Sequence, residues 1–242
     1  MDSEQLKSLF DQQAPAYDAQ WARMAPIRDG LHLLMGSVLA QLPARARILC
    51  VGAGTGAEIL YLAGRYPGWT FTAVELSAGM LAVCRQRASD AGCAARCGFH
   101  EGEVDTLPEG ESFDGATALL VSQFLLDPSA RSAFFRAIAG RLRPGGLLVS
   151  SDLAFDVASA AYPGMLETWM RTMATADIDP AGLERLRAAY QRDVAIAPPK
   201  AVEALIAAGG FGAPVQFYQA GLIHAWHACV STPPDAGHPC AA

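Results

Sequence analysis

The chain has 242 residues, of which 52% are hydrophobic and 17% charged, and its formal net charge is −6. This length and composition suit one large α/β domain built around a fully buried sheet. The acidic balance and the lack of any basic run argue against electrostatic binding of nucleic acid, which needs several phosphate-neutralising side chains. With only two lysines, Lys7 and Lys200, Schiff-base chemistry and a Tyr-x-x-x-Lys dehydrogenase pair are excluded as well.

In chain order, Met1 to Phe10 is polar and charged, without the apolar centre of a signal peptide, so a cytoplasmic location is expected. A helix near Ser3 to Gln13, a turn at Ala14 to Asp18 and an apolar helix from Pro26 to Leu42 make residues 1–45 a helical cover. Strand 46–52, helix 55–65, strand 69–75, helix 77–90, strand 95–101, strand 113–121, helix 128–142 and strand 146–152 then alternate as a doubly wound sheet requires, giving a core over 46–153. Ser77 is placed to cap its helix, and Pro144-Gly145-Gly146 to stop the helix before the strand at 146.

Residues 154–197 exceed what that core needs and are expected to form a helical lid. Tyr162, Met165, Leu166, Trp169, Met170, Met173 and Tyr190 give it an apolar face, several of them at i, i+3, i+4 spacing, suited to packing on the domain, to roofing an apolar substrate pocket, or to both. Residues 198–231 begin with a helix at Pro199 to Ala208. Ala204 to Pro234 contains no charged residue, but Gly209, Gly210, Gly212, Pro214 and Gly221 interrupt it, so a buried antiparallel hairpin explains it better than a membrane span. Residues 232–242 form a Pro-containing small-residue tail, expected to be disordered.

Six cysteines (Cys50, Cys84, Cys93, Cys97, Cys229 and Cys240) lack C-x-x-C spacing, so reduced thiols and no metal site are expected. His224 and His227 fall on one strand at a spacing that points them to opposite faces, which makes them a poor chelating pair.

The most informative segment is Ile48-Leu-Cys-Val-Gly-Ala-Gly-Thr-Gly56, a strand running into three alternating glycines ahead of a helix. Such a turn lets backbone approach a ligand with no Cβ in the way and aims free helix N–H groups at it. Alone the motif is ambiguous, because Gly52-x-Gly54-x-x-Ala57 also fits a dinucleotide fingerprint and Glu75 lies where that fingerprint puts its ribose-binding acid. Three further segments separate the readings: Gly102 to Pro108, Phe113 to Val121, and Leu142 to Ser150 with its Pro-Gly-Gly.

With these, residues 10 to 153 and 198 to 231 resemble the class I S-adenosylmethionine-dependent methyltransferases. The resemblance implies a mostly parallel, doubly wound seven-stranded α/β sheet closed by a C-terminal antiparallel hairpin, with S-adenosylmethionine as cofactor. It assigns the methionine end of the cofactor to Gly52, Ala53, Gly54 and Gly56, and the ribose to Glu75 with neighbouring Leu76. Glu103 and Val104 take the adenine position, and Leu119 to Ser122 face the sulfonium and the substrate. There are two departures: Cys50 stands where the family usually has an acid, and Glu103 replaces an Asp. Leu120 to Pro128, Phe134-Phe135 and Ala208 to Trp226 are similar, more distantly, to carboxy-S-adenosylmethionine synthases, whose extra carboxylate needs a basic site; Arg185, Arg187 and Arg192 are available.

The implied activity is methyl transfer to a small, partly apolar molecule, with carboxy-S-adenosylmethionine formation or non-catalytic cofactor binding as alternatives. Candidate catalytic groups are Asp152, His224, Tyr17 and Gln123. No nucleic-acid or membrane partner is expected, and pairing of two copies is left open.

Overall fold

The computed structural model describes residues 3–110, 112–173 and 180–231. One seven-stranded sheet has the order β3-β2-β1-β4-β5-β7-β6, built from β1 (Arg47–Val51), β2 (Thr70–Glu75), β3 (Cys97–Glu101), β4 (Phe113–Leu119), β5 (Leu142–Leu153), β6 (Val215–Ala220) and β7 (Ile223–Cys229). The first five strands are parallel; β7 inserts antiparallel between β5 and β6, as the uncharged C-terminal stretch suggested. Strand order reverses at β1, from which the chain winds one way to β2 and β3 and the other way to β4 and β5. Ligands of open α/β sheets bind beside the strand C-termini at such a point.

Helices cover both faces, and this is why the central strands read as nearly continuous apolar runs. On one face Ile48, Cys50, Phe71, Ala73, Leu147 and Val149 pack with residues of α3 (Ala25–Leu39), α4 (Ala57–Arg65) and α5 (Ala78–Asp90). On the other, Leu49, Val51, Val74, Ala116, Ala118 and Leu148 meet Phe135 and Ile138 of α6 (Pro128–Arg141) and Val202 and Ile206 of α9 (Pro199–Ala208). Each large apolar side chain buried this way contributes roughly 1.5–3 kcal/mol. A third cluster lies over the C-terminal end of β5: Met24, Leu153, Leu222 and Ile223 against Leu166, Trp169 and Met170 of α7 (Tyr162–Met173). Trp169 Nε1 donates to the Tyr190 hydroxyl at 3.2 Å, tying α7 to α8 (Pro180–Asp193). All seven apolar lid residues picked out by spacing join this cluster.

Two expectations need correction. Pro144-Gly145-Gly146 does not precede the last parallel strand but lies inside it. β5 begins at Leu142, opposite Phe113, and resumes register at Leu147 opposite Gly115. Gly145, at φ +72°, absorbs the extra residues as a bulge. Among the cysteines, Cys50, Cys84, Cys93 and Cys97 are free, but Cys229 is disulfide-bonded and not reduced. The 232–242 tail lies outside the described residues. No helix among the described residues is long and apolar enough to cross a membrane.

The Ser77 cap is present: its hydroxyl accepts the Met80 N–H at 3.0 Å and donates to Asp11 Oδ1 of α1 (Ser3–Gln13) at 2.6 Å. Ser77→Ala should therefore lower unfolding free energy by about 1 kcal/mol. A urea melt with an unchanged midpoint would show that the cap carries no stability.

Candidate cofactor and active site

β1 delivers the glycine turn to the switch point. Gly52, Gly54 and Gly56 have φ of +63°, +52° and +80°, a conformation that costs an L side chain roughly 1–2 kcal/mol. Their surroundings differ. A Cβ on Gly52 would lie 2.4 Å from Val121 Cγ2, and one on Gly56 would lie 2.5 Å from Cys84 Sγ, whereas one on Gly54 would meet nothing within 4 Å. The turn is packed against the protein at its two ends and open in the middle, which fits a ligand lying across Gly54. The Gly52 contact also brings Val121, in the segment after β4, to the turn.

Glu75, at the end of β2, is the centre of the arrangement. One carboxylate oxygen accepts the Gly54 N–H at 2.9 Å and the other the Ser77 N–H at 2.9 Å. Burial pushes its pKa up, while the N–H groups of Ser77, Gly54 and Leu76 pull it back. Each oxygen keeps a lone pair for a hydroxyl donor. Val104 is buried and its carbonyl accepts Arg141 Nη2 at 3.2 Å, whereas the Glu103 side chain is exposed.

The N-terminal helices are fastened over this region. Asp11 Oδ1 also accepts the Gly79 N–H at 2.9 Å, so a carboxylate caps α5 from α1. Asp18, in α2 (Tyr17–Gln20), accepts the Thr55 hydroxyl and Arg87 Nη1, both at 2.9 Å. Tyr17 lies close enough to feel the Glu75 charge; burial first and that charge second push its hydroxyl up to about 12. A phenol held neutral in this way is a poor general base.

The other three catalytic candidates lie together on the α6 side of the sheet. Asp152 is 0% exposed; its Oδ2 accepts the Ser122 hydroxyl at 2.7 Å and lies 3.4 Å from Nη2 of Arg131, itself 2% exposed. Burial pushes the Asp152 carboxyl up, against the pull of Arg131 and Ser122. Gln123 Oε1 accepts the Leu153 N–H at 2.9 Å, and its carbonyl accepts the Ala195 N–H at 2.8 Å. His224 lies opposite Asp152 in the β5–β7 register, with both ring nitrogens buried and without a hydrogen-bond partner, and burial holds it neutral. Asp152 and Gln123 thus brace the loop after β4 against β5 and the 194–197 segment. Leu120 in that loop has φ +59°, the one positive value among described non-glycine residues, and its N–H donates to the Ser151 carbonyl at 2.8 Å. A strained residue costs about 1–3 kcal/mol and persists where its surroundings over-determine it, as here.

Of the arginines available for an extra carboxylate, Arg187 pairs with Glu167 at 2.7 Å and Arg192 with Asp193 at 2.7 Å. Sequence reasoning passed over Arg131 and also Glu58, in the first turn of α4, which is 7% exposed. Burial pushes the Glu58 carboxyl up to about 8.

Two predictions follow from these groups. Arg131→Met leaves Asp152 buried without its cation and should cost about 3–5 kcal/mol, most of it recovered in Arg131→Met/Asp152→Leu; a double variant no more stable than the single would refute the brace. For Glu58, the folded value of about 8 exceeds the unfolded 4.5. The folded state therefore keeps a proton that the unfolded state loses, and stability present below about 4.5 is lost as pH rises to about 8. Relative to wild type, Glu58→Gln should grow more stable across that window, and parallel stability curves would contradict this.

Comparison with known proteins agrees with this geometry. Residues 48–146 match the family described as a methyltransferase domain. A malonyl-[acyl-carrier protein] O-methyltransferase of Geobacter sulfurreducens is 36% identical over 85 residues, which are 35% of this chain and 31% of that protein. Human N-acetylserotonin methyltransferase, solved with S-adenosylmethionine, has the same fold at TM-score 0.63 and 16% identity, covering 93% of this chain and 57% of that one. The [4+2]-cyclase SpnF aligns at TM-score 0.66 and 20% identity, covering 89% and 75%. The chain spans 21% to 31% of the length of the curated relatives it matches. Residues 48–146 thus match a methyltransferase-domain family, and the chain shares the Rossmann-like fold of these solved structures.

Proposed function

We propose that this protein methylates a small, partly apolar molecule at an oxygen, nitrogen or sulfur atom, by in-line displacement on S-adenosylmethionine. The observation that carries the reading is the Glu75 clamp, a carboxylate held by the Gly54 and Ser77 N–H groups at the sheet's switch point beside an open glycine turn. The cofactor supplies an electrophilic methyl group on a sulfonium. The remaining requirements are alignment and exclusion of water. On this reading Gly52, Ala53, Gly54 and Gly56 cradle the methionine portion, and Glu75 takes the ribose hydroxyls. Leu119 to Ser122, held by the Arg131–Ser122–Asp152 brace, border the reacting end.

The apolar cluster of Met24, Leu166, Trp169, Met170 and Ile223 beside Leu120 suits an acceptor with substantial apolar surface. Oxygen is favoured among the three atoms by the name of the Geobacter relative. Asp152 is paired through Oδ2 with Ser122 and Arg131, Gln123 accepts the Leu153 N–H and Tyr17 is a neutral phenol, so none of these three is proposed as a base. Pairing of Arg187 and Arg192 with protein carboxylates weighs against a site for carboxy-S-adenosylmethionine chemistry.

The test is calorimetric titration with S-adenosylmethionine and S-adenosylhomocysteine, followed by an acceptor screen monitored by mass. Binding to wild type should fall at least tenfold in Glu75→Gln, which loses charge-assisted hydrogen bonds, and vanish in Gly54→Arg, which fills the cradle. Unchanged binding in both variants would remove the site. Binding without methylation of any acceptor would favour a non-catalytic role.

A further inference from the structure

The glycine turn lies next to a second buried carboxyl that the cofactor assignments above do not use. Glu58 sits two residues after Gly56, 7% exposed, and its side chain hydrogen-bonds its own backbone N–H and no other described residue. The charged and titratable groups facing it come from four elements: Glu75 of β2, Arg87 and Cys84 of α5, Cys50 of β1 and Tyr17 of α2. Arg87 is the one cation among them. Its Nη1 is engaged by Asp18 Oδ2, the Thr55 carbonyl and the Thr55 hydroxyl, at 2.9, 3.1 and 2.9 Å. Cys50 and Cys84 are thiols pushed up by burial and Tyr17 is a phenol pushed up to about 12, so all three are neutral. Two carboxyls therefore share one enclosure, and they differ in what they lack. Glu75 has both oxygens on backbone N–H groups, while Glu58 has no partner from another described residue.

A buried carboxyl without a partner is costly, and it is relieved either by keeping its proton or by receiving a cation. We propose that Glu58 is the receptor for the positively charged amino group of the cofactor's amino-acid portion, which it binds as a carboxylate. The inference rests on the S-adenosylmethionine reading of the turn. Of the cofactor's two cationic centres, the sulfonium has to face the acceptor beside the segment after β4. Glu58 is coupled to Glu75, Arg87, Cys84 and Cys50, none of them in the segment after β4, so the amino group is the cation left for it. In the free protein the Glu58 carboxyl keeps its proton, as its value of about 8 requires at neutral pH. On binding, that proton passes to the buffer and an ammonium–carboxylate pair forms in its place.

The experiment is titration of wild type and the near-isosteric Glu58→Gln with S-adenosylmethionine, S-adenosylhomocysteine and 5′-methylthioadenosine, which lacks the amino-acid portion. Each titration is repeated near pH 7 in buffers of different ionisation enthalpy. Glu58→Gln should bind both amino-acid-bearing ligands about 10- to 100-fold more weakly, the range for a charge-assisted hydrogen bond in a dry site, and should bind methylthioadenosine as wild type does. Wild type should release close to one proton on binding S-adenosylhomocysteine, and Glu58→Gln essentially none. Loss confined to S-adenosylmethionine would move the contact to the sulfonium and overturn the proposal. Equal loss for all three ligands would make Glu58 a support of the turn and overturn it too, as would unchanged affinity and proton release. Failure of wild type to bind any of the three would instead overturn the cofactor reading, so the two failures are distinguishable. Circular dichroism melts confirm that the variant is folded.

Discussion

The arrangement depends on one carboxylate held by backbone. Glu75 bridges the turn after β1, through Gly54, and the turn after β2, through Ser77. Burying a carboxylate is expensive unless its lone pairs are met, and here the cost is offset by two N–H groups that could find no partner inside their own turns. The two turns are thus locked to each other before any ligand arrives. The lock also orients the start of α5, where Ser77 caps the helix and Asp11 from α1 caps it a second time. The N-terminal helices are therefore attached to the site through the same few atoms that define it.

The C-terminal edge of the sheet divides into two chemically different halves. On the α4–α5 side, Glu58, Glu75 and Tyr17 surround the glycine turn with more acid than base. On the α6 side, Arg131, Ser122, Asp152 and Gln123 bond to one another and to nearby protein groups, while Asp152 Oδ1 and both ring nitrogens of His224 are buried without a hydrogen-bond partner. The first half surrounds the glycine turn, and the second braces the loop after β4. The consequence of the second is positional: it fixes the strained loop at Leu120, and with it Val121, whose methyl groups pack on Gly52.

This division explains what was legible in the sequence. Strand and helix alternation was readable because the central strands are apolar throughout and the glycines mark the turn. The hairpin was readable because a strand inserted between two others excludes charge. Asp152, Gln123 and His224 were read as candidate reagents from their positions at strand ends, which say nothing of what lies beneath the sheet. Arg131 was illegible for the converse reason: on α6 it stands among other polar residues and looks like part of a solvated face, yet it is buried against Asp152. Glu58 resembles any acid placed in a helix's first turn to suit the dipole, and only burial shows that the chain has taken it out of water. The bulge at Gly145 was missed because Pro-Gly-Gly also ends helices, and the choice between stop and bulge depends on the pairing of Leu142 with Phe113.

The apolar cluster over the C-terminal end of β5 is built with the same economy. α7 and α8 bring Leu166, Trp169, Met170 and Tyr190 onto Leu153 and Ile223, and two of the polar groups there are linked: Trp169 Nε1 donates to the Tyr190 hydroxyl, which donates to Met173 Sδ. A surface built this way offers shape and dryness rather than proton transfer. If methyl transfer is the reaction, its rate must then come from alignment and from removing water around a charged sulfonium, where each electrostatic contact counts for more than it would in solvent. An acceptor suited to such a site brings its own nucleophilicity and needs from the protein chiefly a fixed direction of approach.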